Sequence, residues 1–171
     1  LRRYIPDPDI LQILGEIVRS FSSTAIGKGL PLGNLTSQLL VNVYMNEFDR
    51  FAKHRLKAKY YIRYADDFVV FSHDRGWLVG LVLRMRDFLG DALRLELHPD
   101  KVSIQTLAAG VDFLGWVNFP DHRVLRTTTK RRMMKRLDVS RSPAARHSYL
   151  GLLRHGNAYK LKERILDRGR P

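Results

Sequence analysis

Apolar residues in this chain recur with two spacings, and each spacing predicts a different kind of element. Over residues 8–22, 35–51, 75–89 and 144–165 they recur every three or four positions, as on the buried face of an α-helix. Asp7 and Pro8 suit the N-cap and first position of the first helix, and Gly90 suits the end of the third. The last helix is expected to be interrupted near Gly156 and Asn157.

The second predicted helix follows a loop, residues 27–34, whose three glycines and one proline exclude regular structure. Asn34 and Thr36 are both suitable N-caps for it. Its buried stripe is expected to comprise the apolar residues Leu39, Leu40, Val43, Tyr44, Phe48 and Phe51.

Aromatic and β-branched residues fill residues 60–64 and 68–71, a composition that favours strands. The sequence Ala65-Asp66-Asp67 separates these runs, so a β-hairpin is predicted there. Leu93, Leu95 and Leu97 alternate with charged residues, which predicts a half-buried strand that continues over residues 102–106. Residues 111–117 form another strand-like run, closed by a turn at residues 120–122.

Helices and antiparallel strands in this order predict an α+β fold, with an antiparallel sheet that carries helices on one face. A chain of 171 residues, 44% of them hydrophobic, is long enough for one domain with a real core. We expect a body over residues 1–122 and a basic helical segment over residues 123–171.

Positive charge is concentrated towards the C-terminal end of the chain. The formal net charge is +13, and residues 121–171 alone hold 15 basic and 4 acidic residues. A helix predicted from residue 127 carries charges on several faces, and its basic residues are Lys130, Arg131, Arg132, Lys135 and Arg136. This excess favours binding to a nucleic-acid backbone without base readout. The alternative is a solvated surface helix.

Composition excludes several other kinds of chemistry. The chain has no cysteine, so disulfides and thiolate metal sites are excluded, and its six histidines show no ligand spacing. A metal would therefore be held by carboxylates, which suit Mg²⁺. No apolar run of 18 residues and no leader segment is present, so we expect a cytoplasmic protein without membrane contact.

Two adjacent carboxylates, Asp66 and Asp67, lie where the predicted hairpin reverses. On a rigid tip they would be suited to hold a divalent cation against a phosphate, as nucleotidyl transfer requires. An Asp-Asp turn taken alone is more often structural, because aspartate readily caps backbone N–H groups.

Three segments in a fixed order resemble reverse transcriptases. They are the loop and helix start at residues 29–38, the hairpin Tyr64-Ala65-Asp66-Asp67, and Phe113-Leu114-Gly115-Trp116, with the turn at residues 98–101 between the last two. The sequence of residues 32–38 is most similar to the bacterial enzymes of diversity-generating retroelements. The resemblance implies a partial polymerase palm followed by a thumb-like basic segment.

The resemblance also implies roles for individual residues. Asp66 and Asp67 would be catalytic metal ligands for Mg²⁺ or Mn²⁺, with Asp67 the more peripheral, and Lys101 would assist the departing pyrophosphate unless it is simply a solvated charge. The nucleotide and template pocket would comprise Gly29, Leu32, Gly33, Asn34, Ser37, Gln38 and Ala65. The primer would be held by Phe113, Leu114, Gly115 and Trp116, although aromatic residues beside a glycine are as often core.

One feature of the family pattern is missing from the sequence. The family has an earlier strand with a third metal-binding aspartate, and Asp7 and Asp9 are better explained as helix-start residues. We therefore expect part of a longer RNA-directed DNA polymerase, inactive alone, whose partners are an RNA template, a DNA or RNA primer, dNTPs and an accessory nucleic-acid-binding protein. The alternative is a non-catalytic, maturase-like RNA-binding module, and a palm-type nucleotide cyclase is disfavoured by the basic tail.

Overall fold

The computed structural model describes residues 5–20, 35–140 and 142–167. The predicted loop with Gly29, Leu32, Gly33 and Asn34 lies outside these residues, as does the predicted end of the first helix. The chain divides into two compact units, Leu1–Arg55 and Leu56–Pro171, and the boundary at residue 122 stays a prediction. Each unit is described by itself.

Helix α1, Pro8–Arg19, opens the first unit. The Asp7 carboxylate accepts hydrogen bonds from the backbone N–H groups of Asp9 (2.9 Å) and Ile10 (3.2 Å), and Pro8 is the first helical residue. This cap satisfies two backbone donors that a helix start otherwise leaves unpaired. The predicted N-terminus of the helix is confirmed.

Helix α2, Leu35–Arg50, is followed by a π-helical turn, Phe51–Arg55. Its buried side chains are Ser37, Leu40, Met45 and Phe48. The predicted stripe is therefore partly wrong, because the side chains of Leu39, Val43 and Tyr44 are 60%, 43% and 49% exposed. Apolar residues occur on both sides of this helix, so their spacing alone does not identify the side that faces the core.

The second unit begins with the predicted hairpin, strands β1 (Tyr60–Tyr64) and β2 (Asp67–Phe71), paired antiparallel. Helix α3, Arg75–Leu93, follows, and the Asp74 carboxylate caps it by accepting a hydrogen bond from the Trp77 N–H at 2.9 Å. The buried side of α3 carries Leu81, Met85, Leu89 and Leu93. The hairpin prediction is confirmed.

Helix α3 was predicted to end at Gly90, but it ends three residues later, at Leu93. Arg94 ends the helix with a φ of 51°, and its N–H bonds to the Gly90 carbonyl. Leu93 is consequently helical, and the strand predicted from it is wrong. Leu95 and Leu97 alternate with exposed residues as predicted, but their segment joins no hydrogen-bonded ladder in the described part of the chain.

A second sheet contains three short antiparallel strands in the order β3 (Val111–Phe113), β4 (Trp116–Asn118) and β5 (Arg123–Leu125). The run at residues 111–117 is thus a hairpin rather than one strand. The predicted turn at residues 120–122 joins β4 to β5.

Helices α4 (Thr127–Val139), α5 (Pro143–Leu153) and α6 (Tyr159–Asp167) complete the second unit. The predicted interruption near Gly156 is confirmed, because it separates α5 from α6. One core joins these helices to the second sheet, and its buried members are Trp116, Leu125, Met133, Leu153, Ala158 and Ile165. The fold is α+β, as predicted. No helix in the described ranges combines the length and apolarity needed to cross a membrane.

Replacing Gly80 by alanine is expected to stabilise the protein. Gly80 lies inside α3, and a Cβ built there meets no atom within 4 Å. Alanine lowers the backbone entropy lost on helix formation, so the free energy of unfolding should rise by about 0.5–1 kcal/mol. Urea unfolding of wild type and variant measures this difference, and a lower stability of the variant would contradict the unobstructed surroundings of Gly80.

Candidate functional site

Strands β1 and β2 are joined by a two-residue turn, Ala65 and Asp66. Tyr64 pairs with Asp67 on either side of the turn, and Ala65 has a φ of 52°. A positive φ at the first central residue is a feature of type II′ turns, whose twist matches that of the flanking strands. A left-handed alanine costs about 1–2 kcal/mol relative to an ordinary conformation. The hairpin therefore holds a defined and mildly strained tip.

The two predicted carboxylates occupy different positions at this tip. Asp66 is in the turn itself and Asp67 is the first residue of β2, and both side chains are exposed. Residues opposite each other in an antiparallel pair share a face, so Asp67 lies on the face of Tyr64 and Ile62. Both of those side chains are exposed as well. Asp67 is thus beside the turn on an open sheet face, and Asp66 is at its apex.

The turn is held by an arginine that the sequence analysis did not identify. The Arg63 guanidinium Nη1 donates a hydrogen bond to the Ala65 carbonyl at 2.7 Å. Arg63 lies opposite Phe68 on the half-buried face of the hairpin. The sequence could have indicated this role, because Arg63 is one position before the last residue of β1 and its side chain therefore points away from the face of Tyr64.

The carboxylates of Asp66 and Asp67 are not used as turn caps. Neither forms a hydrogen bond to the turn backbone within the described residues, so the capped-turn alternative has no support there. Their oxygens are the hard ligands that Mg²⁺ and Mn²⁺ prefer, so the residue types fit such an ion. Across the described ranges, no group of three or more histidine, aspartate or glutamate side chains is arranged to hold a metal.

The remaining predicted catalytic and pocket residues belong to other elements of the chain. Lys101 is exposed and ends the short 3₁₀ turn Pro99–Lys101, where its N–H bonds to the His98 carbonyl at 3.1 Å. Ser37 is buried and Gln38 exposed near the start of α2, in the first unit.

The β3–β4 turn consists of Leu114 and Gly115, with φ values of 54° and 81°. Two positive φ values are typical of the type I′ turn that closes tight hairpins. The Gly115 carbonyl accepts a hydrogen bond from the Arg126 N–H at 2.9 Å, and the Arg126 guanidinium is 2.7 Å from the Asp112 carboxylate. This turn is thereby attached to the start of α4. Leu114 remains 45% exposed at its tip.

The four residues predicted to hold a primer have unequal surroundings. Leu114 is exposed, Phe113 is half-buried, and Trp116 is only 7% exposed in the core shared with the helices. Trp116 is therefore a core residue, which is the alternative to primer binding. Among these side chains Leu114 has the most surface open to a ligand.

Helix α4 has its positive charges arranged more regularly than predicted. Met133 is buried, and Leu137 and Lys130 are half-buried on the same side of the helix. The exposed side carries the remaining basic residues of the predicted set, which are Arg131, Arg132, Lys135 and Arg136. We call this surface the α4 basic face. Lys130 lies on the half-buried side, so the five charges still occupy more than one face of the helix.

Comparison with known proteins gives two findings. A family model described as "Reverse transcriptase (RNA-dependent DNA polymerase)" matches residues 5–118, which include both hairpins and the turn with Lys101. The chain is also 25% identical over 167 residues to Protein YkfC of Escherichia coli (strain K12), a match that covers 76% of this chain. The match covers 42% of that protein, so the chain spans less than half of its relative's length.

Proposed function

Because this chain belongs to the reverse transcriptase (RNA-dependent DNA polymerase) family, we propose that its β1–β2 tip performs template-directed nucleotidyl transfer. In that reaction an RNA template directs the addition of dNTPs to a DNA or RNA primer. The observation that carries the proposal is the tip itself, where Asp66 and Asp67 are exposed, adjacent and not used as caps.

Asp66 and Asp67 would hold the Mg²⁺ or Mn²⁺ ions of this reaction. Bound divalent ions would favour ionisation of the primer 3′-hydroxyl and stabilise charge on the departing pyrophosphate. Asp66, at the apex of the turn, would be the principal ligand, and Asp67 the more peripheral one. Arg63 would keep the turn in one conformation through its bond to the Ala65 carbonyl, and the small Ala65 side chain would leave room for the primer terminus.

Further roles in the proposal rest on the family resemblance. The loop residues Gly29, Leu32, Gly33 and Asn34 with Ser37 and Gln38 would line the nucleotide pocket, and Lys101 would offer its charge to the leaving pyrophosphate. A third carboxylate on a neighbouring strand would complete the metal site. Without that strand we expect no catalysis. The sequence of residues 32–38 supports assignment to the enzymes of diversity-generating retroelements.

Nucleic acid would be held by the thumb-like helices and the second hairpin. The exposed Leu114 tip would contact the primer, and the α4 basic face would bind phosphates of the template–primer duplex. The strong positive charge of residues 121–171 also supports the alternative function, a non-catalytic RNA-binding module.

Primer extension by the full-length protein tests the proposal directly. The assay contains an RNA template, an annealed DNA primer, the four dNTPs and Mg²⁺. Extension that depends on both the template and the divalent cation is the expected result. RNA binding without extension, under conditions where the protein is folded, would instead support the non-catalytic module.

Neutralising part of the α4 basic face is expected to weaken duplex binding. The double substitution Arg132→Gln and Arg136→Gln removes two exposed charges. The slope of the logarithm of the binding constant against the logarithm of the salt concentration should become shallower by about 0.9 for each lost phosphate contact. Arg84→Gln with Arg86→Gln, on the exposed side of α3, is the matched control and should change the slope little. Fluorescence anisotropy over a salt series measures both, and equal slopes for the two variants would contradict this assignment.

A further inference from the structure

A second basic surface, formed by residues other than those of the α4 basic face, lies between two turns of the second unit. The β4–β5 turn and the connection between α5 and α6 border an open groove of about 520 Å³. Its lining includes two arginines, two histidines, a phenylalanine and an aspartate, which are Phe119, Asp121, His122, Arg123, Arg154 and His155. All six lie beyond residue 118, the last one that the family model matches.

The charge of the groove suits an anion. Arg123 and Arg154 are permanently charged, and His122 and His155 add two more nitrogen-bearing rings. The carboxylate in the groove, Asp121, is 2.8 Å from His122 Nδ1. This hydrogen bond with His122 lowers the pKa of Asp121, so the carboxylate remains ionised and is paired with the ring. The groove therefore has a net positive charge.

Hydrogen bonds and packing hold the two walls of the groove together. The Asn157 N–H donates to the Arg123 carbonyl at 2.8 Å, and the Arg123 guanidinium Nε donates to the His155 carbonyl. The same guanidinium lies 5.5 Å from the centroid of the buried Trp116 ring, a cation–π distance. The Arg123 charge is thus fixed relative to both turns before any ligand binds, which lowers the entropy lost on binding.

An aromatic pair stands beside these charges. The rings of Phe119 and His122 are stacked with centroids 4.6 Å apart and an interplanar angle of 11°, and the Phe119 N–H bonds to the His122 carbonyl at 2.8 Å. The His122 side chain is still 38% exposed. A flat ring next to arginines is the combination by which proteins stack a base and hold its phosphate.

We propose that this groove binds one unpaired nucleotide of a nucleic-acid strand, with its base on the His122 ring and its phosphate at Arg154 and Arg123. The proposal rests on the proposed function for the presence of nucleic acid. It adds a site for single-stranded nucleic acid to the α4 basic face, which is suited to duplex. Stacking tolerates every base, so binding should be largely independent of sequence.

Anisotropy with a short, labelled single-stranded RNA tests the groove, without dNTPs or metal. The double substitution His122→Ala with Arg154→Gln should weaken binding about tenfold or more. The matched control is His147→Ala with Arg164→Gln, two exposed residues of α5 and α6, and it should bind as wild type does. His122→Phe keeps a flat ring and should retain binding. Equal affinities of the groove and control variants would overturn the proposal.

Two further probes identify what the groove recognises. An RNA strand whose nucleotides are all abasic should bind more weakly than the same strand with its bases, and His122→Ala should have no further effect on the abasic strand. A free nucleoside monophosphate that competes as well as the RNA would show that the groove binds free nucleotides, which would contradict recognition of a strand. If the protein extends a primer and the groove variants bind RNA as wild type does, the groove proposal alone is wrong. If the groove variants lose RNA binding but the protein never extends a primer, the polymerase proposal alone is wrong.

Discussion

Gly156→Ala is expected to destabilise the protein by about 2–3 kcal/mol, the upper part of the range of about 1–3 kcal/mol for forcing extra atoms into a close-packed core. A Cβ at this position would lie 2.8 Å from Trp116 Cη2, closer still to Cζ3, and 2.9 Å from the Arg123 carbonyl oxygen. The Trp116 ring belongs to the buried core of the second unit, and the Arg123 carbonyl is held by the Asn157 N–H. The added methyl group would therefore displace either the buried ring or the hydrogen-bonded carbonyl.

Two other variants separate this overlap from general effects of alanine. Gly151→Ala, inside α5, meets no atom within 4 Å and should stabilise the chain by about 0.5–1 kcal/mol. Trp116→Leu combined with Gly156→Ala should show a favourable coupling energy, because the smaller side chain removes the overlap. Urea unfolding followed by circular dichroism measures all of these variants. A Gly156→Ala protein as stable as Gly151→Ala would show that Trp116 does not pack on Gly156.

Asp66→Asn is expected to reduce primer extension by the full-length protein about a thousandfold, comparable to the loss of an electrostatic group that acts on the transition state. The amide keeps the shape of the side chain but removes the charge that would hold a divalent cation. Because Asp66 is exposed in its turn, the free energy of unfolding should hardly change. Steady-state extension rates over a range of Mg²⁺ concentrations measure the effect.

Asp67→Asn and Asp91→Asn provide the comparison. Asp67 lies beside the turn on the open face of the hairpin, so its replacement should reduce the rate by a smaller factor. Asp91 is exposed near the end of α3, and its replacement should leave extension unchanged. If Asp66→Asn extends a primer as fast as Asp91→Asn, the assignment of Asp66 as a metal ligand is wrong.

Local sequence signals predicted those elements whose structure is decided within a few residues. The cap at Asp7, the hairpin around Asp66 and the interruption near Gly156 all depend on short-range chemistry, namely side-chain capping, strand propensity and turn residues. Predictions that needed knowledge of distant neighbours were less successful. Apolar residues on both sides of α2 concealed its buried face, and Leu95 alternates like a strand residue but has no ladder to join.

Helix α3 shows why a single glycine was misleading. Gly90 costs about 0.5–1 kcal/mol inside a helix, but the next turn of this helix places Leu93 in the core, so the helix continues. Arg94 adopts the left-handed conformation in its stead. Burial of one further leucine thus outweighed the local preference for glycine at the helix end.

The candidate site was predictable only in part, for the same reason. The two carboxylates could be identified from the sequence because acidic residues at a hairpin turn are able to bind a divalent cation. The bond from Arg63 to the Ala65 carbonyl depends on the exact turn geometry, and the groove depends on residues 123 and 154, which come together only when α5 and α6 pack on the sheet. Trp116 belongs to a recognisable motif, yet it packs against Gly156, forty residues later, and against the helices of the second unit.

The attachment of α4 to the β3–β4 turn has a mechanical consequence. Arg126 bonds the Gly115 carbonyl through its N–H and Asp112 through its guanidinium, so the start of the helix is attached to the turn that carries Leu114. In the proposed function, a strand bound at the start of α4 would therefore lie at a defined distance from the Leu114 tip. The helix and the turn would together determine the position along a bound strand at which Leu114 makes contact, without reading the sequence of that strand.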